Sequence, residues 1–138
     1  MSKIVWSMIL LLCLSCTKES LDDCPAELAC TEVFVSIFVK IVKENQPSYK
    51  PAKLEVVFAD TGEKKRISEN NYGTYAYIND GDMDRISKNG TTIYLIGKDG
   101  LDKELFNEKY VIGHDCCHVI KLSGKDEITL KWYRNEQT

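Results

Sequence analysis

The amino-acid sequence predicts an all-β domain, an antiparallel β-sandwich of about seven short strands with Greek-key connections. In several short segments apolar residues alternate with polar ones, and a period of two places them on one face of a strand. Turn signals separate these segments at intervals of about 10 to 15 residues. No segment has a sustained helical stripe with capping residues. Together these observations favour two packed sheets over a helical architecture.

The first predicted strand, residues 33–41, alternates most regularly. Its apolar face carries Val33, Val35, Ile37, Val39 and Ile41. Phe34 and Phe38 fall on the opposite face, so we expect both faces to be partly covered. Pro47 and Pro51 follow, and a central strand cannot continue through prolines because they donate no ladder hydrogen bond.

Six further strands are predicted after this loop, at residues 54–58, 72–78, 93–96, 105–112, 116–122 and 128–132. Neighbouring residues on a strand point to opposite faces. In the sixth strand, Cys116 is therefore expected to share the core side with Ile120 and Leu122. Cys117 is expected to share the solvent side with Lys121.

The composition fits one small globular domain. The chain has 138 residues, of which 43% are hydrophobic and 28% are charged. These values are typical of a folded domain and argue against a disordered chain or a protein with many membrane spans. The net charge is −3, so the sequence lacks the basic character of nucleic-acid-binding proteins and predicts no nucleic-acid partner.

Residues 1–15 have the features of a secretory signal peptide. Lys3 is their only charged residue, and residues 4–14 form a nearly continuous apolar run. A basic start, an apolar segment and a small residue before the cleavage site are typical of such signals. A membrane-spanning helix needs about 20 apolar residues, so this run is too short to be one.

The end of the signal segment, Leu12-Cys13-Leu14-Ser15-Cys16, resembles a bacterial lipobox, with Cys13 where leucine is usual. The resemblance implies that cleavage makes Cys16 the first residue of the mature chain. It also implies that acyl chains on Cys16, palmitate among them, hold the protein at a membrane, since each buried methylene contributes about 0.8 kcal/mol. The alternative is an ordinary secretory cleavage nearby that leaves Cys16 as a free thiol.

Residues 16–29 are expected to form a tether. The stretch Cys16-Thr-Lys-Glu-Ser-Leu-Asp-Asp-Cys24-Pro25 resembles the mature start of lipoproteins from Bacteroidota, including fimbrial anchor proteins. Lys18 and Glu19 match part of the surface-export signal of such lipoproteins. The resemblance covers the tether alone, and it implies a place in the cell envelope, at the outer membrane of a Gram-negative bacterium.

Four cysteines lie beyond Cys16: Cys24, Cys30, Cys116 and Cys117. An even number outside the cytoplasm indicates two disulfides. The sequence leaves the three possible connectivities open, although a bond between the adjacent Cys116 and Cys117 would strain the peptide. Bonds between the two groups would close a loop of roughly 90 residues and contribute up to about 4 to 5 kcal/mol.

The two histidines of the chain suggest an alternative use of the same cysteines. His114, Cys116 and His118 would share one face of the sixth predicted strand, and imidazole and thiolate bind zinc or copper. A metal-binding or thiol-redox site would use His114, Cys116, Cys117 and His118. The spacing matches no Cys-x-x-Cys zinc motif, so structural disulfides are the preferred interpretation.

An acidic stretch offers a second possible metal site. Asp80, Asp82 and Asp84 occupy alternate positions, and carboxylates in such a loop can converge on calcium. The stretch departs from the EF-hand template, because Arg85 stands where glycine is required. A solvated acidic turn is the preferred interpretation, and residues 81–87 are the only segment expected to hold a helical turn.

The sequence contains few motifs that are typical of enzymes. The chain has no nucleophile elbow and no phosphate-binding glycine loop, so we expect no enzymatic activity and no cofactor. Tyr72, Tyr75 and Tyr77 are a candidate platform for a glycan, although tyrosines packed against a sheet are the preferred interpretation.

The strand around Val56, the turn Thr61-Gly62 and the step Gly73-Thr-Tyr75-Ala-Tyr77 are similar to transthyretin-like and carboxypeptidase-regulatory-like domains. The likeness implies a β-sandwich and nothing about activity. The expected organisation is a lipoprotein signal peptide (1–15), a lipid-anchored tether (16–29) and one β-sandwich domain (30–135).

These features predict a non-enzymatic, lipid-anchored envelope protein with a binding or structural role, such as an accessory subunit of a surface assembly. Its expected partners are the membrane, through the N-terminal lipid, and a protein of the envelope. A metal or thiol-redox protein and a glycan-binding module are the alternatives.

Overall fold

A computed structural model of the chain describes residues 24–25, 27–68 and 73–131. The strands are β1 (Ser36–Lys43), β2 (Lys53–Phe58), β3 (Lys64–Arg66), β4 (Thr74–Asn79), β5 (Thr91–Lys98), β6 (Glu104–His114), β7 (Val119–Ser123) and β8 (Glu127–Leu130). A short 3-10 helix, Asp80–Arg85, follows β4. The all-β class is therefore confirmed, and the helical turn lies where it was predicted. No helix in these ranges is both long enough and apolar enough to cross a bilayer.

The strands form two sheets. One has three strands in the order β4-β1-β8, and the other has five in the order β3-β2-β5-β6-β7. The chain passes between the sheets after β1, β3, β4 and β7. Apolar residues of both sheets meet in one core, whose largest fully buried side chains are Tyr77, Tyr110, Phe58, Ile41, Ile78, Ile93, Leu95, Ile112, Val39 and Val56. This arrangement is a sandwich.

One pairing departs from the predicted antiparallel arrangement. β8 lies parallel to β1, with Lys40 opposite Glu127 and Lys43 opposite Leu130, whereas the other pairings are antiparallel. Parallel neighbours need a long connection between them. The whole of the intervening chain supplies it, because β1 and β8 stand at opposite ends of the domain sequence.

The strand β3 was missed, so the described chain has eight strands and not seven. Its three residues are all basic and show no apolar alternation. They pair with β2 at the edge of the larger sheet, where charged side chains are common because one side of the strand faces water. The turn before it was predicted correctly: Gly62 has a φ of +70°, and its N–H donates to the Phe58 carbonyl at 2.8 Å.

The first strand is buried on one face and about half exposed on the other. Val39 and Ile41 are buried as predicted, and Val35 and Ile37 pack against the core. The opposite face is only partly covered, since Phe38 is 47% exposed. It lies on the outer face of the three-stranded sheet, because its neighbour Val39 points into the core.

The predicted orientation of β7 is also wrong. Val119 is buried, whereas Ile120 is 42% exposed and Leu122 is 53% exposed. The strand begins only at Val119, so the cysteine pair lies in the bend before it and not on it. Since side chains alternate along a strand, a shift of one residue moves every side chain to the other face.

Two tyrosines pack at the centre of the sandwich. The rings of Tyr77 and Tyr110 lie with centroids 4.8 Å apart and planes tilted by 48°. Both residues are fully buried, and neither hydroxyl has a hydrogen-bond partner within the described ranges. Burial raises the pKa of both phenols well above the ordinary value, so both rings stay neutral and serve as core.

The packing around Tyr110 predicts the effect of a single methyl group. Gly124 has a φ of +129°, and a Cβ there would overlap the Tyr110 ring. We expect Gly124→Ala to lower the free energy of unfolding by about 2 to 5 kcal/mol, because it combines backbone strain with overpacking. The matched control is Gly100→Ala, where a Cβ meets nothing within 4 Å, and equal urea midpoints for the two variants would contradict the packing described here.

Candidate functional site

The candidate site is the place where the N-terminal segment, residues 24–25 and 27–35, is fastened to the turn between β6 and β7. Cys24 lies at disulfide distance from Cys116, and Cys30 from Cys117. The Cα atoms are 5.5 Å and 5.4 Å apart, and the pairs are 92 and 87 residues apart in sequence. Of the three open connectivities, the structure therefore has one that joins the two groups in order. We call this region the clamp, defined as residues 24–25 and 27–35, Asp80 and residues 115–119.

The turn that carries the cysteine pair is organised by Asp115. Its Oδ1 accepts hydrogen bonds from the backbone N–H groups of Cys117 and His118, both at 2.7 Å. These two donors hold the pKa of the Asp115 carboxyl below its usual range. An aspartate that binds the backbone just after itself is a common turn former. Since Cys116 and Cys117 lie on this turn and not on a strand, both can reach the same facing segment.

Asp80, the first residue of the 3-10 helix, joins three parts of the chain. Its Oδ2 accepts from the backbone N–H of Val35 at 2.7 Å, and its Oδ1 accepts from that of Val119 at 2.9 Å. Its own N–H donates to the Val35 carbonyl at 3.1 Å. The side chain is 12% exposed. Burial raises the pKa of Asp80, but the two backbone donors and His118 outweigh it, so the pKa lies below its usual range.

His118 bridges Asp80 to the N-terminal segment. Its Nδ1 lies 2.9 Å from Asp80 Oδ2, and its Nε2 lies 3.1 Å from Thr31 Oγ1. The His118 side chain is 22% exposed, and Thr31 is exposed. A carboxylate, an imidazole and a hydroxyl thus stand in one row.

Sequence reasoning missed this row. Asp80 was considered only as a calcium ligand, and Thr31 was not considered at all. The three residues come from the helix start, the N-terminal segment and the bend before β7, with separations of 38 and 87 residues. No local motif connects positions so far apart, and only folding brings them together.

The four residues of the alternative metal site do not form a group of ligands. The sulfur atoms of Cys116 and Cys117 are paired with other cysteines. His114 ends β6 and its ring faces the Asp115 carbonyl, so the expectation that His114 and His118 share a strand face is wrong. Within the described ranges, no group of three or more histidine, cysteine, aspartate or glutamate side chains is arranged to hold a metal ion.

The acidic stretch does not converge on one point either, and two of its carboxylates are not solvated. Asp80 belongs to the clamp. Asp82 is only 4% exposed; it accepts from the Asn79 N–H at 3.0 Å and pairs with Lys65 of β3. Asp84 belongs to the lining of an open groove of about 610 Å³. Asp82 therefore caps the start of the 3-10 helix, and Asp80 joins the helix to the clamp.

The groove contains none of the clamp residues. It lies beside the end of the 3-10 helix and is lined by Ala59, Asp60, Asp84, Arg85, Ile86, Ser87, Gly90, Thr91 and Thr92. The tyrosine platform is not a surface at all: Tyr75 and Tyr77 are buried, and Tyr72 lies outside the described residues. The preferred interpretation, tyrosines packed against a sheet, is therefore confirmed for Tyr75 and Tyr77, and these two rings do not form the alternative glycan platform.

No protein-family model, no curated protein and no solved structure matches this chain. Cys16 and the predicted signal peptide lie outside the described residues.

The clamp predicts a large contribution of the cysteine pairs to stability. Replacing all four of these cysteines by serine removes both pairs, which close loops of 92 and 87 residues. It is expected to lower the free energy of unfolding by about 2 to 5 kcal/mol, because the unfolded chain regains freedom. Urea unfolding of oxidised wild type and of the four-serine variant measures the difference. Equal midpoints would show that the cysteine pairs do not constrain the chain.

The pKa of Asp80 predicts an acid-sensitive clamp. Because its folded pKa is lowered, its contribution is fully present above the unfolded value of about 3.9 and is lost as the pH falls through the folded pKa. In Asp80→Asn the free energy of unfolding should therefore be lower at neutral pH by about 1 to 3 kcal/mol and should fall less steeply in acid.

The matched control is Asp60→Asn, which removes the same charge at an exposed turn where the carboxylate accepts from the Thr61 N–H. Urea unfolding from pH 7 to pH 2 is the measurement. A slope in Asp80→Asn as steep as that of wild type would contradict the assignment.

Proposed function

We propose that this chain is a non-enzymatic lipoprotein of the cell envelope, anchored by acyl chains on Cys16, with a binding or structural role such as an accessory subunit of a surface assembly. The observation that carries the proposal is the pairing of every cysteine beyond Cys16. Cys24, Cys30, Cys116 and Cys117 form two pairs at disulfide distance, and such pairs persist in oxidising compartments outside the cytoplasm. In this proposal Cys16 is the remaining cysteine of the mature chain and carries the acyl chains.

The position of the clamp supports an anchored protein. Cys24 follows Cys16 by eight residues, which span at most about 28 Å when fully extended. The folded domain would therefore stay close to the membrane surface. Because Cys24 precedes β1 and is paired with Cys116, a pull on the tether reaches the β6–β7 turn before it reaches β1.

The exposed surface supports a protein partner. Several large apolar side chains lie in water, among them Val33 and Phe34 at 65% exposure and Phe38 at 47%. All three belong to the N-terminal segment or to β1. Contiguous exposed apolar surface is typical of interaction sites, and Val33 and Phe34 are adjacent in the chain. The partner in this proposal is therefore another envelope protein that covers this side of the domain.

The anchor is tested by the intact mass of protein extracted from membranes of a bacterial host that processes lipoproteins. The expected mass is that of residues 16–138 plus acyl chains, and it should rise by four hydrogens when two disulfides are reduced. The variant Cys16→Ala should lose the acyl mass and appear in the soluble fraction, because two or more acyl chains dominate membrane binding.

The control variant is Cys13→Ala, which changes the other cysteine of the lipobox-like stretch. It should be processed and acylated like wild type, since Cys13 is removed with the signal peptide. Unacylated wild-type protein, or acylation that persists in Cys16→Ala, would overturn the lipoprotein proposal. Four free thiols in the extracted protein would overturn its oxidised clamp.

A further inference from the structure

The row Asp80–His118–Thr31 has the arrangement of an activated hydroxyl. A nucleophile of this kind needs a base within hydrogen-bond reach and a third group that orients the base. Thr31 Oγ1 lies 3.1 Å from His118 Nε2, and Asp80 Oδ2 lies 2.9 Å from His118 Nδ1. We propose that Thr31 is an acyl-acceptor site, which takes one acyl group per chain from an ester donor with His118 as general base.

Asp80 is held in place independently of the imidazole. Two backbone donors, from Val35 and Val119, fix both carboxylate oxygens. An ionised carboxylate accepts hydrogen bonds only, so the proton of a neutral imidazole belongs on Nδ1, facing Asp80. The Nε2 lone pair then faces Thr31. Asp80 is thus a positioning residue that selects the tautomer in which His118 acts as a base.

The clamp fixes the distance between the hydroxyl and its base. Cys30 precedes Thr31 and Cys117 precedes His118, and these two cysteines are paired with Cα atoms 5.4 Å apart. The pair therefore aligns the two following residues side by side. Thr31 is exposed, so its hydroxyl is both held against the imidazole and open to a donor from solution.

The transfer balances within these groups and the donor. Thr31 Oγ1 attacks the carbonyl carbon of the ester and its proton moves to His118 Nε2. The bond between the carbonyl carbon and the leaving oxygen then breaks, and His118 returns the proton to that oxygen. The products are an alcohol and an ester on Thr31, and His118 is again neutral. This activity is separate from the proposed anchor, because it requires no lipid on Cys16.

The experiment uses the oxidised, full mature chain and p-nitrophenyl acetate as the donor. We expect release of about one p-nitrophenolate per chain, and an acetyl group on the peptide that contains Thr31 after proteolysis at low pH. Thr31→Val, which replaces an exposed hydroxyl by a methyl group, should remove that acetyl group. His118→Gln should slow it by about 100-fold or more, the range of general-base catalysis.

Two further variants separate reactivity from structure. His114→Gln changes the other histidine, whose ring faces the Asp115 carbonyl and not Thr31, and should react like wild type. Thr31→Ser keeps the hydroxyl and should react at least as fast. Acetylation confined to lysines, or equal acetylation of Thr31 in His118→Gln and wild type, would overturn the proposal and leave the lipid anchor unaffected.

Discussion

The carboxylate of Asp80 is the contact on which the arrangement of this protein depends. It receives backbone N–H groups from Val35 and Val119 and the ring of His118. It therefore joins the entrance to β1, the start of the 3-10 helix and the start of β7, which belong to different sheets or to neither. A buried carboxylate costs free energy unless its oxygens accept hydrogen bonds. Here the partners come from the N-terminal segment and from the start of β7, so satisfying the carboxylate also holds these parts of the chain together.

The cysteine pairs act on the same elements by a different mechanism. Hydrogen bonds to Asp80 stabilise the folded state, whereas the Cys24–Cys116 and Cys30–Cys117 pairs mainly restrict the unfolded chain. Both act where the sheets give no support: within the described ranges, the N-terminal segment pairs with no strand before Ser36. The cysteine pairs and the hydrogen bonds to Asp80 hold this segment in place of strand-to-strand hydrogen bonds. This arrangement suits a domain whose N-terminus is the proposed point of attachment to a membrane.

Periodicity in the sequence located most strands but did not determine which side of each is covered. Alternation identifies two faces, yet Phe38 is exposed and Ile120 is exposed although both are large and apolar. Each sheet packs against the other with one face only, so the outer face of each sheet stays in water. The short basic strand β3 has no apolar pattern, and it exists because the edge of β2 supplies backbone partners.

By itself the sequence determined the all-β class, the cysteine inventory and the segments that would be clamped, because composition, alternation and parity are local or countable properties. Only the tertiary structure decided the partner of each cysteine, the parallel neighbour of β1 and the row from Asp80 through His118 to Thr31. The reason is physical: these contacts join residues that lie between 38 and 92 positions apart. Their geometry is set by how two sheets pack, and no short stretch of sequence encodes that packing.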